Sequence, residues 1–83
     1  MDIKRLGVLG IVIEHPQESQ EAINNIISKY SHIVIGRMGI PYHERKVAVV
    51  SLIVDGTEDE INSLTGQLGN VSGVTARALM TKK

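Results

Sequence analysis

Residues 47–60 read VAVVSLIVDGTEDE, and this stretch decides the fold. From Val47 to Asp55 the apolar residues occupy both parities of an extended chain, which suits a central strand covered on its two faces. Asp55-Gly56 ends that strand. Thr57-Glu58-Asp59-Glu60 then spells a capping box, in which the Thr57 hydroxyl and the Glu60 carboxylate each satisfy an orphan backbone N–H at a helix start. The helix follows at once, with Ile61, Leu64 and Leu68 as its apolar side and Gly69 as its stop. Gly66, inside it, costs about 1 kcal/mol relative to Ala unless close packing needs it.

Upstream, residues 5–14 read RLGVLGIVIE and are again apolar at both parities, with Leu6, Val8 and Val12 on one side and Leu9, Ile11 and Ile13 on the other. Pro16 fits the first turn of a helix running to Tyr30, with Glu18 and Glu21 near the positive end of its dipole. Ala22, Ile23, Ile26, Ile27 and Tyr30 form its stripe. Ile33, Val34 and Ile35 favour a second strand, and Pro41 holds Ile40 extended. Tyr42 to Lys46 is the loop of a hairpin. Downstream of the second helix, Val74, Ala76, Ala78 and Met80 alternate with Thr75, Arg77, Leu79 and Thr81, a strand with one buried and one mixed face.

The order strand, helix, strand, strand, helix, strand, closed by right-handed crossovers, is the α+β ferredoxin-like βαββαβ sandwich. It implies an antiparallel four-stranded sheet of order 4-1-3-2 with two helices on one face. The whole chain, 1–83, is one domain. Two helices cover one face only, so the other shows Val49, Ile53 and half of the first strand to water. That is more contiguous apolar area than a monomer leaves exposed. The expected remedy is a homo-oligomer, a dimer or dimer of dimers, meeting across the helix-free face.

Composition narrows the function. The chain has 83 residues and 9.1 kDa, 9 Lys+Arg against 9 Asp+Glu, no Cys, no Trp, no Phe and two Tyr. A domain this size buries about 60% of its unfolded surface, and without disulfides or thiolate metal sites a partner chain is the natural supplement. A balanced charge removes the basic field used for non-specific nucleic-acid or membrane binding, and two aromatics leave little for base stacking. No apolar run approaches the ~20 residues of a membrane span, and Leu6 to Ile13 lacks the flanks of a secretion signal. The expectation is a cytoplasmic protein with no direct nucleic-acid or membrane partner.

Motifs for catalysis are missing: no Cys nucleophile, no phosphate loop, no HExxH and no Gly-x-Ser-x-Gly elbow. The expectation is a non-enzyme without a cofactor. Candidate ligand contacts are Glu14 and His15, at the exit of the first strand where the first helix presents unpaired N–H groups, with Tyr42 and His43 in the hairpin loop. Against this, His43 reads more simply as part of a solvated turn and His15 as a strand-end residue covering the helix start. His32 receives no role. Strand parity offers a second patch: Ile33, Ile35 and Arg37 on the helix-free side of the second strand, with Thr75, Arg77 and Leu79 on that of the fourth. Arg37 and Arg77 would then flank Ser51, pairing with a carboxylate of another subunit or holding an anionic effector. A rival reading is a small metal-binding protein or enzyme using His15, His43 and Glu44. A third is a purely structural subunit of a larger complex.

Gly39-Ile40-Pro41-Tyr42, the charged loop and VAVVSLIVD after it, and then Thr57 to Val74 with INSLTGQLGNVSGV, resemble the family of iron-only hydrogenase system regulators. The most specific part is Leu64 to Gly69 leading to Gly73-Val74. The resemblance implies an ACT-like domain, similar to the effector-binding half of nickel-responsive repressors but without their DNA-binding arm, in a regulatory role with a small effector or protein partner. Those repressors carry His and Cys ligands at the third strand, where this chain has neither, so their nickel site is not implied. Amino-acid-binding ACT domains carry an acidic residue and a glycine after the first strand. Here Glu14 supplies the acid, and His15-Pro16-Gln17-Glu18 lacks the glycine.

Overall fold

The structure, a computed structural model, describes residues 3–82. Met1, Asp2 and Lys83, part of the single-domain reading, lie outside the described residues. The elements are β1 (Lys4–Ile13), α1 (Pro16–Lys29), β2 (Val34–Tyr42), a short 3-10 turn over His43–Arg45, β3 (Val47–Thr57), α2 (Glu58–Gly69) and β4 (Val74–Met80). The sheet runs β2-β3-β1-β4 with every neighbouring pair antiparallel, which is the expected 4-1-3-2 order read from the other edge. The two doubly apolar strands are the central ones. Among the described residues no helix is long and apolar enough to cross a membrane.

One core lies between sheet and helices. Leu9, Ile11, Leu52 and Val54 are wholly buried there with Ile61, Leu64 and Leu68 of α2, and Ile23 and Ile27 of α1 complete it. Truncating one such side chain, as in Leu9→Ala, removes about 2–5 kcal/mol. At this length the whole stability is only roughly 4–12 kcal/mol.

The capping box forms as read: Glu60 N–H donates to Thr57 Oγ1 at 3.1 Å, and Thr57 N–H donates to Glu60 Oε1 at 2.9 Å. His32, given no role by the sequence, sits 2.9 Å from Glu60 Oε2 through its Nε2 and stacks on Tyr30. The Thr57 backbone N–H first, and the His32 contact second, hold the Glu60 carboxyl below its ordinary 4.5. Tyr30 and Ser63 hydroxyls lie 2.7 Å apart, and Gln67 Nε2 donates to Tyr30 Oη at 2.8 Å. These contacts tie the end of α1 to α2.

Parity holds on three strands. Leu9, Ile11 and Ile13 are buried beneath the helices while Leu6, Val8 and Val12 face away. On β4, Val74 and Ala76 are buried and Leu79 is 75% exposed. The second strand departs from the expectation. Val34 opposes Val54 and Gly36 opposes Ile53, so Ile35 is an extra residue, a β-bulge. A single inserted residue flips every later side chain to the other face. Ile33 lies in the turn before the bulge, where its carbonyl accepts Asp55 N–H at 2.8 Å, and is buried rather than open. Beyond the bulge Arg37 turns to the helix side opposite Leu52, while Met38 and Ile40 join the uncovered face opposite Ser51 and Val49. That face is left apolar in the single chain, with Val8, Val49 and Ile53 about two-fifths exposed and Met38 63% exposed.

Candidate functional site

The fold brings the exit of β1, the start of α1 and the tip of the β2–β3 hairpin to one end of the sheet. Between them lies a half-open cleft of about 700 Å³. Its walls include Glu14, His15, Tyr42 and His43, the four residues the sequence singled out at this end. Gln17 and Glu18 of α1 and Arg45 and Lys46 of the hairpin complete its polar lining, and Pro16, Pro41 and Val47 add apolar surface.

Local structure explains the placement. His15 is the N-cap of α1; its backbone oxygen accepts from Glu18 N–H at 3.0 Å and Ser19 N–H at 3.1 Å, and its side chain makes no cap bond. Pro16 at the first helical position has no N–H to satisfy. The β1 exit is pinned from behind by Gly73, whose carbonyl accepts Glu14 N–H at 2.8 Å. Gly73 has φ +75°, and a Cβ there would meet His15 Cδ2 at 3.2 Å. Buried Ser19 adds a second tie, its Oγ donating to Ser72 O at 3.3 Å. The α2–β4 turn is thus the buttress of the cleft. At the opposite wall Lys46 adopts the left-handed conformation, φ 57°, closing the hairpin through its N–H to His43 O.

The lining mixes carboxylates, basic groups and imidazoles with apolar surface, an arrangement suited to holding a small polar molecule. Glu44 is not part of that lining; Tyr42 Oη donates to its Oε2 at a long 3.4 Å. Among the described residues no three of His, Asp and Glu converge as metal ligands. The trio of His15, His43 and Glu44 is therefore not assembled. Sequence reasoning missed Glu18, Arg45 and Lys46 as lining, although each lies within three residues of one it named.

The second patch does not form as expected. Arg77 does face the helix-free side of β4, its Nη1 donating to Ala76 O at 2.9 Å. Arg37 lies on the opposite face, where its Nη2 donates to Asn24 Oδ1 of α1 at 2.8 Å. The bulge at Ile35 is the cause, since it reverses the parity from which the pair was read.

The strand order and the two helices define the ferredoxin-like class, with an ACT-like fold. The structure of the uncharacterized protein TM1266 from Thermotoga maritima is similar at 30% identity, with 96% of this chain and 100% of that one covered and a TM-score of 0.91. The ACT domain from the GTP pyrophosphokinase of Chlorobium tepidum is similar at 22% identity, covering 93% and 100% of the two chains, with a TM-score of 0.78. CPII, a nitrogen regulatory PII-like protein from Thiomonas intermedia K12 bound to ADP, AMP and bicarbonate, shares the fold at 15% identity, 95% and 92% coverage and a TM-score of 0.54. A comparison with curated proteins gives no match. The TM1266-like family, described as iron-only hydrogenase system regulators, matches residues 5–78. The chain belongs to that family.

Proposed function

We propose that this protein is a non-enzymatic cytoplasmic regulator of the iron-only hydrogenase system that self-associates through its helix-free sheet face and takes a small effector in the cleft at Glu14, His15, Tyr42 and His43. The observation that carries the reading is Tyr42. It lines the cleft and also shares the parity of Met38 and Ile40, so one residue belongs both to the cleft and to the rim of the uncovered face. An effector regulates only by contacting two assembly states differently, and Tyr42 offers such a contact.

Size supports the association. Four strands ~4.8 Å apart and a β1 of 10 residues give a face of roughly 600 Å², at the upper end of what monomers expose and close to one partner's share of a stable interface. Arg77 would meet a carboxylate across that contact. A protein partner reads out the assembly state, since direct DNA reading is not expected of so balanced a charge.

Thermal-shift screening of the full chain against amino acids, nucleotides, bicarbonate and divalent metals tests the effector site. A ligand that binds the folded state raises stability as RT ln(1 + [L]/Kd), about 2.7 kcal/mol at one hundred times Kd. The expected result is a shift with one class that is lost in Tyr42→Ala and His43→Ala. A shift that survives both substitutions places the site elsewhere.

A further inference from the structure

One row across the middle of the helix-free face breaks its apolar pattern. Met38 pairs with Ser51, Ser51 with Gly10 and Gly10 with Arg77, so the four lie side by side. On the two central strands the flanking rows carry branched residues, Val49 with Val12 and Ile53 with Val8. Gly10 has no side chain, and a Cβ placed there meets nothing within 4 Å. Ser51 beside it adds one oxygen. The result is a notch about 5 Å across, walled along the strands by residues ~7 Å away, with room for one side chain.

A glycine inside a strand weakens it, and a small domain has little stability to lose. Gly7, also on β1, has a reason within the chain: its Cβ would sit 3.0 Å from Leu79 O. Gly10 meets no such neighbour within the chain.

We infer that the notch at Gly10 and Ser51 is the socket of the subunit contact, filled by the Met38 side chain of a second copy. The inference rests on the reading that subunits meet across this face, and adds where they lock. A second copy is the occupant because one face carries both parts. Met38 is an unbranched, adaptable knob, exposed at the edge of the sheet, and the hole lies on the same row. A two-fold contact needs such a self-complementary pair, each copy giving a knob and receiving one. Gly10→Val would fill both holes of a dimer at once.

Light scattering of the full chain over a dilution series tests this, with Gly10→Val, Met38→Ala and, as a control on the exposed side of α2, Gly66→Ala. The wild type is expected to associate, Gly10→Val and Met38→Ala each to weaken association about 10-fold or more, and Gly66→Ala to leave it unchanged. Far-UV circular dichroism checks that each variant folds. Should Gly10→Val fail that check, Met38→Ala decides, since Met38 is exposed and its loss spares the core. A wild type that stays monomeric overturns both the socket and the association itself, and leaves the face to a different partner. A wild type that associates, with folded variants associating as tightly, overturns the socket alone.

Discussion

Replacing Gly73 by Ala should damage both stability and the cleft. At φ +75° a residue with a Cβ pays the left-handed penalty, about 1–2 kcal/mol, and the new methyl would press on His15 Cδ2 at 3.2 Å and approach Glu14 Cβ at 3.7 Å. Against this, Ala restricts the unfolded chain and returns about 0.4–1 kcal/mol. The net expectation is a loss of about 1 kcal/mol, or a melting temperature lower by roughly 4–8 °C in a domain of this size. Gly73→Asn separates the two causes, because Asn tolerates the left-handed region yet carries the same Cβ. If the backbone dominates, Asn loses clearly less than Ala; if crowding of His15 dominates, the two lose alike. Thermal denaturation followed by circular dichroism reads both. A Gly73→Ala melting temperature equal to or above that of the wild type would refute the claim that this turn requires glycine.

Three further outcomes follow from the same geometry. Gly66→Ala should raise stability by about 0.5–1 kcal/mol, because a Cβ there meets nothing within 4 Å; a loss in urea titration would mean that the site is closely packed. Glu60→Gln should flatten the acid limb of the stability curve. The folded-state carboxyl titrates below 4.5, so its contribution is complete above that pH and is lost as pH falls through the folded value; melting curves that stay parallel in wild type and variant below pH 4.5 would contradict this. Arg37→Ala should leave self-association unchanged, because its guanidinium bonds Asn24 on the helix side; weakened association would return Arg37 to the interface.

How far the sequence could be read depended on how local each signal was. The capping box at Thr57 to Glu60 fixes a helix start through contacts three residues apart, and it appeared in place. The two doubly apolar strands named themselves as central. The bulge at Ile35 had no comparable mark: Ile33, Val34 and Ile35 are all β-branched and apolar, so nothing in their order shows which one drops out of register. Everything read from parity beyond that point, Arg37 above all, was inverted. At the cleft, the β1 exit and hairpin tip were visible as the polar breaks between apolar runs. The role of Gly73 was not, because its φ and its contact with His15 depend on how the α2–β4 turn packs beneath β1.

The claim on which the functional account rests is that the helix-free face of the sheet is covered by another copy of the chain. Sedimentation equilibrium of the wild-type protein across a dilution series measures this directly, against a chain mass of 9.1 kDa. The account predicts a mass of two or four chains that falls toward one on dilution. A single-chain mass at every concentration would contradict it.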